Sequence, residues 1–253
     1  MRRSKEEMLV NAARAKEHLA YMEKYRGQTA IAILDTRRYS HTVPTEIADK
    51  TSRSEIHIIR STSADAVFTK TALRSCVLNF SDYKKPGGGF IRGKLTQEES
   101  LCHCSNLYPI LSAYESEFYI PHMRSLNKGL YTDDALYSPD VIFLDKEREV
   151  FCDVITCAAP NCRPGLRYKS VSASEMIEAM YFRIQHVLSV ARSEKVERLI
   201  LGAYGCGIYA NNPNAVATAF KIFLEDDFSG CFREVVFPVP DESNFNVFNK
   251  ILS

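Results

Sequence analysis

Apolar residues recur at spacings of three and four through residues 4–26, where Met8, Ala12, Ala15, Leu19 and Met22 fall on one face of a helix. Gly27 stands where such a helix is expected to end. Further along, short solid runs of apolar residues predict strands at 55–60, 76–80, 141–144, 150–156, 198–201 and 234–239. Helical spacing predicts helices at 63–74, 97–107, 172–193, 213–224 and 245–252. Thr62 or Ser63 is placed to cap the first of these, and Ser172 with Glu175 has the spacing of a capping box. Asn212 and Pro213 suit the start of another helix. Residues 108–140, rich in tyrosine, proline and polar residues, read as ordered loops and short helices.

Strands alternate with helices, and the strands lack the polar alternation of a half-exposed sheet. That pattern predicts an α/β layered fold with strands buried on both faces. Ligands in such sheets bind beyond the carboxyl ends of the strands. Three segments leave predicted strand ends: a glycine loop after Phe80, an Ala-Pro-Asn turn after Thr156, and a second glycine loop after Leu201.

The first loop runs Pro86-Gly87-Gly88-Gly89-Phe90, and seven residues separate Gly89 from Gln97-Glu98-Glu99. Glycines let backbone N–H groups approach a polyanionic or sugar ligand closely. Carboxyl groups are what cleavage of a glycosidic bond needs. The two features together point to a nucleotide sugar. Adjacent helical residues diverge by about 100°, so Glu98 and Glu99 are not expected to flank one bond as an ordinary carboxylate pair does. A division of labour is expected instead, one protonating the leaving oxygen and the other orienting the sugar. The bland alternative is two acids on a helix N-terminus, favoured there by roughly 0.3–1 kcal/mol.

The second loop, Gly205-Cys206-Gly207-Ile208-Tyr209, precedes a helix start and can present successive N–H groups as an anion nest suited to a diphosphate. No Gly-Lys-Ser/Thr follows, so it is not a Walker loop. Cys206 reads as a small residue packed under the loop rather than a nucleophile. Tyr209 reads either as a confining wall for a sugar ring or as a core aromatic. Cys102-His103-Cys104 has the wrong spacing for a zinc knuckle, and no metal or cofactor is expected.

Composition narrows the picture further. A net charge of +1 excludes a global field for polyanions, so any such ligand needs a local site. The eight cysteines follow no secreted framework and several lie in apolar runs, which predicts reduced thiols and a cytoplasmic location. No apolar run approaches the roughly 18 residues of a membrane span, and a monomer without membrane association is expected. Residues 1–54 are expected to be a helical extension packed on a domain of residues 55–253.

The strings Val77-Leu78-Asn79-Phe80, Pro86-Gly87-Gly88-Gly89-Phe90 and Gln97-Glu98-Glu99-Ser100-Leu101 resemble the bacterial-type poly(ADP-ribose) glycohydrolases, which carry Gly-Gly-Gly, a short spacer and Gln-Glu-Glu. The resemblance continues through Ser105–Tyr108, Tyr137–Val141, Ala159–Asn161 and Gly202–Gly207. It implies a macro-domain-like α/β/α sandwich around a mixed sheet, with N-terminal helical additions. It further implies hydrolysis of ribose–ribose O-glycosidic bonds of poly(ADP-ribose), or of ADP-ribose groups on other macromolecules. Glu99 would be the catalytic acid and would need a raised pKa, which a partly desolvated cleft supplies. Glu98 would hold ribose hydroxyls. Asn79, Gly87, Gly88, Gly89 and Gln97 would bind substrate, and Gly205, Cys206, Gly207, Ile208 and Tyr209 would cradle the diphosphate. Two alternatives stay open: a mono-ADP-ribosyl hydrolase and a non-catalytic ADP-ribose reader, the latter having no use for the two glutamates. Tyr209 stands where relatives often carry phenylalanine, and Lys84-Lys85 departs from the usual pattern at a position expected to be peripheral.

Overall fold

A computed structural model describes residues 4–40, 53–146, 148–164 and 171–253. The N-terminal apolar stripe folds as α1 (Lys5–Met22), with Ser4 and Glu7 forming a reciprocal capping box. Gly27 does not end the helical region. A 3-10 turn at Glu23–Tyr25 redirects the chain, and α2 (Arg26–Asp35) begins with Gly27 in its first turn. β1 (Arg37–Tyr39) follows and pairs antiparallel with β4 (Ala135–Asp145). Ion pairs of 2.6 Å, Arg37 to Glu194 and Arg38 to Asp134, hold this polar edge strand, which hydropathy alone does not reveal. The segment expected as a helical extension therefore also contributes to the sheet. Its expected boundary falls by residues 41–52, outside the described residues.

β2 (Glu55–Ile59) leads to α3 (Ser63–Val67), capped by Thr62, whose hydroxyl accepts from Asp65 N–H at 3.1 Å. α3 stops well short of residue 74. Thr71 Oγ1 takes Leu73 N–H at 3.1 Å, a side-chain turn that competes with helix. β3 (Ser75–Phe80) is followed by α4 (Gln97–Cys102) and α5 (Leu107–Ala113). The single helix expected over 97–107 is broken because Asn106 behaves as a strand neighbour. Its N–H donates to Ile142 O at 3.2 Å, and its Oδ1 accepts from Ile142 N–H at 2.9 Å.

After a π-helical turn at Glu115–Tyr119 and α6 (Ile120–Arg124), β4 pairs antiparallel with β5 (Arg148–Cys157). β4 starts earlier than expected because its register shifts between Ser138 and Val141, past Pro139 and Asp140, and pairing resumes. α7 (Ala173–Ser193), β6 (Arg198–Ile200), α8 (Pro213–Glu225), β7 (Glu234–Pro238) and α9 (Glu242–Leu252) complete the chain.

The strands form a mixed seven-stranded sheet in the order β1-β4-β5-β3-β6-β7-β2. The run β5-β3-β6-β7-β2 is parallel throughout. Helices cover both faces. Cys76 and Leu78 of β3 enter a core shared with Ile184 and Leu188 of α7 and Phe220 of α8. Val77, pointing the other way, joins Ala15 of α1, Leu101 of α4 and Ile110 of α5. This is an α/β/α sandwich of macro-like fold. Because the central strands run parallel, the loops after β2, β3, β5, β6 and β7 all emerge at one edge of the sheet.

Candidate functional site

A cavity of about 590 Å³ opens at that edge. One wall carries Glu98, Glu99, Thr96 and Asp82, and the facing wall carries Gly205, Gly207, Ile208 and Tyr209. Ala159, from the turn after β5, lies between them, and Phe80 lines the space at the end of β3.

Gln97 fixes the acid-bearing helix to the strand. Its Nε2 donates to Leu78 O and its Oε1 accepts from Phe80 N–H, both at 2.8 Å. The amide expected to bind substrate holds the β3 backbone, so Gln97 positions α4, and it also lines the cavity. Glu99 sits at the third position of the helix in a capping box with Thr96. Its Oε2 accepts from Thr96 N–H at 2.7 Å and from the Thr96 hydroxyl, and its Oε1 accepts from Gly89 N–H at 2.8 Å. Glu98 Oε2 accepts from Asp82 N–H at 2.7 Å, and Oε1 from Asn79 Nδ2 at 3.3 Å. Both glutamates are almost wholly buried, at 2% and 3% exposure. Burial pushes the Glu98 carboxyl well above its usual range, the Asp82 N–H works against that shift, and the neighbouring Glu99 charge adds to it.

The triple glycine has a different job from the one expected. Two of its amides are taken within the protein: Gly89 N–H goes to Glu99, and Gly88 N–H goes to Lys85 O at 3.1 Å. Gly87 backs onto Tyr108. Gly88 has φ +57, and a Cβ there would stand 2.8 Å from Glu99 Oε1 and 2.9 Å from Glu98 Oε2. The glycines are needed so that two carboxyls can fold against the backbone. The side chains leave the helix about 100° apart yet converge on one residue. Asn79, fully buried, shares its Nδ2 between Glu98 and Thr156 Oγ1 at 3.2 Å, so it supports Glu98 from below.

The second loop folds on itself through Cys206 N–H to Ala203 O, Ala210 N–H to Gly207 O and Asn211 N–H to Gly205 O, each at 3.1 Å. Among the described residues, the N–H groups of Gly205, Gly207, Ile208 and Tyr209 meet no backbone carbonyl. Successive N–H groups left without a backbone acceptor are what an anion nest uses. Gly205, at φ +71, has no room for a Cβ beside Asn211 and Ala159. Cys206 packs against the core, and burial pushes its thiol up to about 12, which suits packing rather than nucleophilic work. Tyr209 is both wall and core: it lines the cavity and packs edge-on to Tyr131, with centroids 6.1 Å apart.

Several supporting residues escape a reading of sequence. Asn211 Nδ2 donates to Pro160 O at 2.7 Å and Gly205 O at 3.0 Å, pinning the nest to the Ala-Pro-Asn turn. Arg183 of α7, buried, donates to Ala158 O, to Leu130 O at 3.1 Å and to Asp133 at 2.5 Å. Thr62, Ser63, Pro240, Asp241 and Asn244 close the far end of the cavity. Of these last residues only Thr62 and Ser63 carry a signal in the sequence, as candidates for a helix cap. Cys102 and Cys104 lie on the α4 side, the first buried and the second donating to Ser100 O at 3.4 Å.

A model of the microbial-type PARG catalytic domain matches residues 10–146. The chain is similar to the poly(ADP-ribose) glycohydrolase (PARG) of Thermomonospora curvata, with 29% identity and a TM-score of 0.86 over 95% of this chain and 98% of that one. It is similar to the same enzyme bound to the inhibitor ADP-HPD, with 28% identity and a TM-score of 0.83 over the same shares, 95% and 98%. The PARG of Deinococcus radiodurans in complex with ADP-ribose is 29% identical, with a TM-score of 0.79 over 89% of this chain and 97% of that one. No curated protein matches the chain.

Proposed function

The chain belongs to the microbial-type PARG catalytic-domain family, and from that premise we propose how its residues divide the work of hydrolysing poly(ADP-ribose). It is a glycosidase that cleaves ribose–ribose O-glycosidic bonds and releases ADP-ribose. One observation carries the assignment of roles. Two buried carboxyls converge under Gly88 at one side of a cavity whose other side is a nest of free N–H groups.

The D. radiodurans relative binds ADP-ribose, and we place the same ligand here. Its diphosphate lies on the Gly205–Tyr209 amides, and its distal ribose reaches the glutamates. Glu98 orients that ribose through its hydroxyls. Glu99 gives its proton to the departing 2′-oxygen as the C1″–O bond breaks, leaving an oxocarbenium-like ribose. The substrate's own diphosphate, fixed on the nest, stabilises that cation. The Glu99 carboxylate then takes a proton from water as the water adds to C1″, which restores the acid. Thr96 and Gly89 hold the Glu99 oxygens in place through these changes. The eight single thiols, several in the core, support a reducing, cytoplasmic setting.

Glu99→Gln removes the proton donor and keeps the size. It should lower turnover of purified poly(ADP-ribose) by about 10²–10⁴-fold and leave ADP-ribose binding within a few-fold. Chromatography of released ADP-ribose and calorimetric titration read the two. Full turnover by the variant would remove Glu99 from the chemistry.

A further inference from the structure

The glycine loop carries Lys84, Lys85, Arg92 and Lys94, four cations in eleven residues of a chain whose net charge is only +1. All four are exposed. Among the described ion pairs none of them meets a carboxylate, although Asp82, Glu98 and Glu99 lie in the adjoining cleft. Their placement follows the carboxyls closely. Arg92 Nη2 donates to Gly88 O at 3.2 Å, and Gly88 is the residue on which both glutamates converge. The Lys94 stem lies across Gly89, whose N–H holds Glu99, and Lys94 reaches the cavity lining. Lys85 accepts Gly88 N–H through its carbonyl, and Lys84 N–H donates to Asp82 Oδ1 at 2.8 Å, so both are tied to the same turn.

The nest already supplies donors for one diphosphate, and it lies on the opposite wall. Lys84, Lys85 and Arg92 lie outside the cavity lining and are surplus to one ADP-ribose in it, while Lys94 stands at its rim. All four lie on the loop whose Gly89 N–H holds Glu99, the group that meets the departing 2′-oxygen in the hydrolase reading. In a polymer that oxygen belongs to the next ADP-ribose unit, which carries its own doubly charged diphosphate one ribose away.

We propose that Lys84, Lys85, Arg92 and Lys94 form a second anion subsite that holds the diphosphate of the leaving unit of the polymer. The inference rests on the hydrolase reading above. The subsite makes a polyanionic chain a better substrate than a single ADP-ribose group on an uncharged carrier. Binding through it falls with salt, by about 0.7 in log–log slope for each cation in contact with a flexible single chain.

The test uses the full chain with Lys84→Gln, Lys85→Gln, Arg92→Gln and Lys94→Met combined, the last keeping the apolar stem over Gly89. KM for purified poly(ADP-ribose) is measured between 25 and 300 mM salt, about a tenfold span, alongside Kd for free ADP-ribose. The expected result is a KM for polymer raised at least about tenfold at low salt, a flatter salt slope, and an ADP-ribose Kd changed less than about twofold. A charge-keeping set, Lys84→Arg, Lys85→Arg, Arg92→Lys and Lys94→Arg, should restore the low KM. An unchanged KM and slope overturns the subsite. So does an equal loss of ADP-ribose affinity, or a charge-keeping set as poor as the neutral one, since either assigns the effect to the pocket or the fold. Failure of the wild type to release ADP-ribose would instead overturn the hydrolase reading.

Discussion

Glu98 and Asn79 form a buried, hydrogen-bonded pair. Asn79 Nδ2 serves Glu98 and Thr156, while its Oδ1 has no partner among the described residues. Donation from Nδ2 favours the Glu98 carboxylate over the form that carries a proton. Burial, which raises the Glu98 pKa, favours that proton. The native state then binds it more tightly than the unfolded chain does. Stability consequently falls as pH rises from the usual carboxylate range through the raised native pKa. Glu98→Gln removes this penalty, and its amide oxygen can still accept from Asp82 N–H or Asn79 Nδ2. The variant should melt a few degrees above wild type at pH 7, with the difference vanishing below the usual carboxylate range. Thermal melts from pH 4 to 8 read this directly, and a lower melting temperature at pH 7 would mean that the Asp82 N–H outweighs burial. At this scale the sequence marks the two glutamates through their spacing from the glycines. It does not show that Gly88 and Gly89 serve the carboxyls instead of the ligand, because that depends on how α4 folds back over the loop. Asn211 and Arg183 are silent for a similar reason, since their partners lie 51 and 25 positions away or more at the decisive contacts.

α1 ties the N-terminal region to the loop that holds Glu99. Its inner face packs on the 3-10 turn Phe90–Arg92, and Asn11 Nδ2 donates to Gly93 O at 3.4 Å. Gly93 has φ +75, and a Cβ there would collide with the Met8 carbonyl oxygen of α1. That backbone contact cannot give way without moving the helix. Gly93→Ala should cost about 1–3 kcal/mol through overpacking and should loosen the segment between Gly89 and Thr96, both of which hold Glu99. A lower melting temperature together with a lower kcat is expected, with ADP-ribose affinity kept because the nest is on the other wall. An unchanged kcat would reduce α1 to a cover for the core. The amphipathic stripe of α1 was legible because its period matches a helix. β1 was not, since Arg37-Arg38-Tyr39 is polar and joins the sheet through ion pairs. The break between α4 and α5 was hidden too, because it follows from Asn106 bonding to β4, far along the chain.

The cavity belongs to no single element. The loops after β2, β3, β5, β6 and β7 each contribute lining, and the parallel run of the sheet brings their ends to one edge. A ligand that touches all of them stabilises the whole fold, because it binds the native state and not the unfolded chain. ADP-ribose at 100 times its Kd should add about 2.7 kcal/mol, which for a chain of this size raises the melting temperature by roughly 5–10 °C. Glu99→Gln should show the same rise, since it changes chemistry and not the nest. Asn211→Ala should lose about 1–3 kcal/mol of intrinsic stability, having left Pro160 O and Gly205 O without their donor. It should also show a smaller ligand-induced rise at the same ADP-ribose concentration, because the nest amides are no longer pinned to the Ala-Pro-Asn turn. A tenfold weaker Kd removes about 1.4 kcal/mol of the ligand's contribution, a difference that paired melts resolve. If Asn211→Ala lowered the melting temperature but kept the full rise, the nest would be shaped by its own turns, and the contact between the two loops would serve the fold alone.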